Sequence, residues 1–232
     1  MPPILLSLQL AFVSTTMLLL AGVPLGYWLA HTQSRGRGIV DFFICLPLVL
    51  PPTVLGLYLL LAFSREGWIG RIWSALFGDG LAFTFPGLVL GAFVFSLPFM
   101  VLPVRAGFQN LPESLREASY SLGKGEWETF WRVLLPNVRM PILSGVILCM
   151  AHTMGEFGVS MMIGGNIPGV TRVASIEIYS RAEALDYSAA HQTALLLASV
   201  SLLLLFLLSR LVGKNAFPLI RGRAWRRLGD TS

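Results

Sequence analysis

Long apolar stretches separated by short polar ones set the rhythm of this chain. Five of them, at about residues 7–30, 40–63, 83–104, 140–164 and 192–212, are long enough to cross ~30 Å of hydrocarbon as helix, which takes about 20 residues. Residues 105–139 break the rhythm. Within them "EASYSLGKGEWETFWRVLLP", Glu117 to Pro136, carries apolar residues on one helical face at a time. Leu115, Ala118 and Leu122 recur at i, i+3 and i+7, and Trp127, Phe130, Trp131 and Leu134 at i, i+3, i+4 and i+7. Pro112 suits a first helical position, Glu113 a first turn, and Pro136 closes the second run. Gly123 and Gly125 interrupt between them, so a glycine there is expected to take positive φ or to let another backbone approach. The pattern predicts an all-α polytopic transmembrane bundle of about five spans carrying a helix–turn–helix loop.

Composition agrees, with 55% hydrophobic and 12% charged residues and a mean hydropathy of +0.71. A soluble domain carries about 25% charged residues. No Lys or Arg precedes the first stretch, in "MPPILLSLQL", and the stretch is too long for the apolar core of a secretory signal, so it is expected to persist as a helix. Arg35 and Arg37 follow it and put the first loop in the cytoplasm. With five spans the N-terminus is then outside and the C-terminus inside. Thirteen of the 17 Lys and Arg fall on the cytoplasmic side of that topology, leaving Arg65, Arg71, Arg172 and Arg181 outside. Residues 214–232 become a basic cytoplasmic tail. The pI of 9.7 thus reflects topology and lipid headgroups, and no stacking or RNA-binding signature points to nucleic acid. Cys45 and Cys149 lie within apolar runs without metal or redox spacing, and His31, His152 and His191 sit at three different depths, which excludes a haem pair.

Inside the spans a few residues do not fit simple apolar packing. Pro47, Pro51 and Pro52 each remove a backbone donor, so the second span must kink or break, for packing alone or to line a pathway. Glu156 is the one acid well inside a span, in Gly155-Glu156-Phe157-Gly158. Charge there is costly and reads as functional by default. It is a poor ligand for an anion; hydrogen bonding to His152 or to broken backbone, or marking a gate between the glycines, fits better. Thr53, Ser96, Thr153 and Ser160 are candidate hydroxyl donors along a path, though such groups often bond their own helix. Gly22 and Gly26 permit close helix packing.

The loop's spacing is more specific. Glu117-Ala118-Ser119, three residues, Gly123, nine residues, Val133, one residue, Leu135-Pro136 is similar to the EAA loop of the permease subunits of ABC importers, departing only at Ser119, where Ala is usual. The resemblance implies that the first loop helix docks into a separate ATPase subunit, which binds ATP and Mg. The chain's own Gly123-Lys124 and Gly213-Lys214 lack the phosphate-loop glycine five residues before, having Ala118 and Leu208 there, so it is not expected to be an enzyme by itself. "GEFG" followed by "GNIPG" resembles the oxyanion branch of that family, for molybdate, tungstate and sulfate, and "LPLVLPPTVLGLYLLL" looks most like its molybdate members. The likeness runs from about Leu8 to Leu211. It implies a homodimer in the inner membrane with two cytoplasmic ATPases and an extracytoplasmic molybdate-binding protein, and no cofactor in this chain. An ion-driven secondary transporter is the rival class; a single midplane acid and no visible repeat count against it.

Overall fold

Pro3, whose ring suits a first helical turn, opens an apolar run that forms α1 (Pro3–His31). The computed structural model describes residues 2–212, of which 208, 209, 211 and 212 are described in backbone only. The basic tail at 214–232 lies outside them.

The second stretch is two helices, α2 (Arg37–Val49) and α3 (Pro52–Phe63), bent by 119° at Leu50 and Pro51. A residue before proline is driven out of the helical region, and Leu50 is extended with ψ 136°. Pro47, by contrast, is held inside α2 and breaks nothing. The fourth stretch is also divided, into α9 (Arg139–Gly155) and α10 (Gly158–Gly164), so the continuous helix expected over 140–164 does not form. The third is α5 (Phe85–Gln109), which begins at the Thr84 cap and absorbs Pro98 and Pro103, and the last is α12 (Tyr187–Val212). α1, α5 and α12 are each long and apolar enough to cross a membrane, and counting each of two bent pairs as one span raises the number to five.

Two helices have no counterpart in the hydrophobic pattern. α4 (Trp68–Phe77) is amphipathic and too short to cross; Trp68, Ile72, Leu76 and Phe77 stay exposed. α11 (Ala174–Glu183) caps the end of the bundle away from the loop.

α1, α5 and α9 make the centre. Near the loop Leu18, Met100, Val104, Phe108, Leu134 and Cys149 pack together. At the far end Leu6, Leu10, Leu88, Val173 and Ile176 do the same. Gly22 and Gly26 serve this packing, because a Cβ on either would lie 2.6 Å from Met100 or 2.8 Å from Val104. α3 and α10 join α5 through Leu55, Phe63, Phe95, Val159 and Ile163.

Candidate functional site

The loop forms first from its own sequence. α6 (Glu113–Ser121) ends where Gly123 takes φ +76°. The Gly123 N–H donates to Tyr120 O at 2.9 Å and the Lys124 N–H to Ser119 O at 3.2 Å, the crossed pair that closes a helix at a left-handed residue. Pro112 stands just outside the helix as its cap rather than in its first turn. A Cβ at Gly123 would meet nothing within 4 Å, so the need for glycine is conformational, and the space around the turn is open. The second helix begins as α7 (Glu126–Thr129), widens through a π turn at Phe130–Leu134 and ends in α8 (Leu135–Asn137). The widening comes just before Pro136, with the Leu135 N–H bonded five residues back to Phe130 O. The helix therefore runs past Pro136 instead of stopping there.

Two interactions fix the helices to each other and to the bundle. The hydroxyls of Ser119 and Thr129, both buried, lie 2.8 Å apart. Phe130 packs edge-on to Tyr27 at 4.8 Å and stacks near Phe108, tying the loop to the ends of α1 and α5. Around the rim Arg132 pairs with Glu128 at 2.9 Å and Lys124 with Glu128 at 3.6 Å. Of the face read as apolar, Leu115 is half-buried, while Ala118 is exposed and Leu122 is 77% exposed; Glu117 beside them is exposed as well. Leu135 is half-buried and Pro136 exposed.

A second set of candidates meets in mid-bundle. The break after Gly155 leaves Glu156 7% exposed, and its carboxylate Oε1 accepts the Val159 N–H at 2.7 Å, satisfying an orphan donor in the first turn of α10. Glu156 thus bonds broken backbone and not His152, whose ring lies between Phe95 and Phe99 with Nε2 unpartnered among the described residues. Gly158 lies directly against the other break: a Cβ there would sit 2.7 Å from Pro52 Cβ and 3.4 Å from the Thr53 nitrogen. The discontinuities of the second and fourth stretches therefore touch. Pro51, Pro52, Thr53 and Gly155 are exposed, facing a surface this chain does not cover, while Phe157 packs on Tyr179 at 4.9 Å. The hydroxyls of Ser96 and Thr153, both buried, face each other 3.2 Å apart, oxygen to oxygen. Ser160 is buried as well.

Sequence reasoning missed the segment that holds this break from the far end. The Ser175 hydroxyl, in the first turn of α11, donates to Glu156 O at 2.6 Å, and the Ala174 N–H donates to Ser7 Oγ at 2.8 Å. Between α10 and α11, Arg172 bonds Asn166 at 2.7 Å and Glu177 at 3.3 Å, and Arg181 holds Glu177 at 2.8 Å and Asp186 at 3.2 Å. Asn166 at φ +60°, directly after Gly164-Gly165, was the available signal for a built turn.

Solved structures share this fold, a helical bundle with two touching breaks and a helix–turn–helix loop at one end. The chain superposes on a bacterial ABC transporter that imports the acidic polysaccharide alginate with a TM-score of 0.70, at 16% identity, covering 91% of this chain and 79% of that one. An amino acid ABC transporter matches with a TM-score of 0.56 at 17% identity, covering 90% and 89%. Residues 22–221 match the binding-protein-dependent transport system inner membrane component family, and the chain belongs to that family, as a multi-pass inner-membrane subunit of an ABC importer. Among its relatives are the molybdenum transport permease ModB of Azotobacter vinelandii, 44% identical over 88% of this chain and 90% of the relative, and ModB of Escherichia coli K12, 35% identical over 76% and 77%. The sulfate permease CysT of Synechocystis is 38% identical over 82% of this chain and 66% of its own length.

Proposed function

We propose that this chain is the translocating subunit of a molybdate importer. The observation that carries the substrate is the 44% identity to the Azotobacter vinelandii molybdenum permease along nearly the whole of both chains. The sulfate permease of Synechocystis is less similar than the Azotobacter vinelandii permease, at 38% identity, and longer, so sulfate is the second reading and tungstate, a close analogue of molybdate, the third.

Two copies enclose the path, with the exposed edges of both breaks, Pro51, Pro52, Thr53 and Gly155, facing the partner copy. Two cytoplasmic ATPases bind Mg and ATP and dock on the exposed Glu117, Ala118 and Leu122, with Ser119 pinned to Thr129 behind them and Gly123 closing the helix end that they grip. A molybdate-binding protein delivers the anion at the opposite end, where α11 lies. Because Phe130 joins the loop to α1 and α5, and Leu134 and Val138 join it to the start of α9, movement of the docked helices is carried into the bundle as a rigid-body shift. The touching breaks at Pro52 and Gly158 are then the place where the path opens and closes. Backbone groups freed at the breaks interact with the oxyanion, and the Glu156 carboxylate stays turned to the Val159 N–H in the α10 backbone and is not offered as a ligand.

The test is uptake of labelled molybdate by cells with and without the gene, competed by excess tungstate or sulfate. Gene-dependent uptake blocked by tungstate and spared by sulfate is expected. Uptake independent of the gene, or competed equally by sulfate, would overturn the substrate assignment.

A further inference from the structure

An open groove of about 1050 Å³ runs between α1, the second loop helix and α9. Its character changes along its length. At the loop end its mouth is formed by Glu126, Trp127, Trp131 and Arg139; toward the middle of the bundle its walls are aliphatic, with Leu19, Leu20 and Val146. On α1 the lining runs from Leu19 to Tyr27, a rise of about 12 Å, close to the ~15 Å depth of one leaflet of a ~30 Å hydrocarbon core. One end is aromatic and charged and the other is oily, the polarity profile of a phospholipid.

The charges at the mouth decide what kind. Arg132, which neighbours Trp131, is held by Glu128 at 2.9 Å, and Glu126 faces Arg116 at 3.9 Å. Arg139 is exposed at the groove and makes no ion pair among the described residues. Trp127, 75% exposed, and Trp131, 49% exposed, are the residue type that settles at the headgroup level of a bilayer. Leu20, 73% exposed, is uncovered deeper in.

We propose that this groove is a binding site for an anionic phospholipid. One acyl chain lies along Leu19, Leu20 and Val146, and the phosphate is held by the Arg139 guanidinium in a charge-assisted hydrogen bond beside the two tryptophans. The site rests on the membrane placement of the loop argued above and is independent of the transported anion. A protein occupant, such as a second copy of this chain, would exclude lipid from the tryptophans altogether.

The experiment uses the full chain in vesicles containing acyl-brominated phosphatidylglycerol or acyl-brominated phosphatidylcholine at equal mole fraction, and reads quenching of tryptophan fluorescence. The share from the groove is isolated by comparison with Trp127→Phe/Trp131→Phe. Brominated phosphatidylglycerol is expected to occupy the site with a roughly fivefold preference, the effect of one basic residue near an anionic headgroup. Arg139→Gln is expected to abolish that preference while overall helicity is unchanged. Equal quenching by both lipids in the unaltered chain, which describes ordinary annular lipid, would overturn the proposal. So would absence of quenching by either, which describes a groove filled by protein. Neither readout involves transport, so failure here is separable from failure of the importer reading.

Discussion

Glu156 and Ser119 place polar side chains where the bundle offers little water, and each has a close partner within the chain. Glu156 supplies an acceptor to the Val159 N–H, so Glu156→Ala should cost about 1 kcal/mol, a fall in Tm of about 2–4 °C for the detergent-solubilised protein. Glu156→Gln, which keeps a carbonyl oxygen, should retain most of that stability; a Gln variant as unstable as the Ala variant would mean that the charge and not the acceptor matters. Ser119 stands where the family pattern has Ala, and Thr129 answers its hydroxyl from 2.8 Å. Ser119→Ala leaves the buried Thr129 hydroxyl unpaired, a penalty of about 1–3 kcal/mol, and should speed tryptic cleavage after Arg116 and Lys124 roughly tenfold. Adding Thr129→Val should bring the rate back, since no polar group is then stranded. Additive acceleration in the double variant would sink the pairing. Ser119 itself could be read from the motif, but Thr129 could not, because nothing in its sequence neighbourhood marks it as the partner.

Among the elements, legibility followed the strength of the local signal. The loop helices had clear 3.6-residue periodicity and a glycine stop, and both form, with Gly123 at positive φ. The proline pair ended a helix as its chemistry requires. At Glu156 the flanking glycines allow broken backbone, but apolar composition continues through 140–164 and does not place the break; Ser175, nineteen residues on, bonds Glu156 O there. α4 and α11 were invisible because ten residues cannot cross a membrane and their positions depend on tertiary contacts such as Ser7 with Ala174. The face of α6 that apolar periodicity marks is only partly covered in this chain, with Leu115 half-buried and Ala118 and Leu122 exposed. α11 yields a prediction at this scale. Ser175→Ala removes the donor to Glu156 O and should raise hydrogen exchange of the Gly158 and Val159 amides about tenfold, the effect of one lost bond. Unchanged exchange would show that α11 does not brace the break.

The whole molecule is a bundle held twice, by α11 bracing the break at Glu156 and by the loop tied to α1, α5 and α9, and the proposed role of the exposed Ala118 and Leu122 on α6 is to take the grip of an ATPase. Leu122 tests this most directly, because at 77% exposure its replacement disturbs no packing within the chain. The measurement is co-purification of the ATPase subunit with the unaltered chain and with Leu122→Asp, alongside the amount of each chain in the membrane. The account expects equal membrane insertion and at least a tenfold loss of bound ATPase in the variant, as for an apolar contact at the centre of an interface. Undiminished ATPase retention by Leu122→Asp would contradict it.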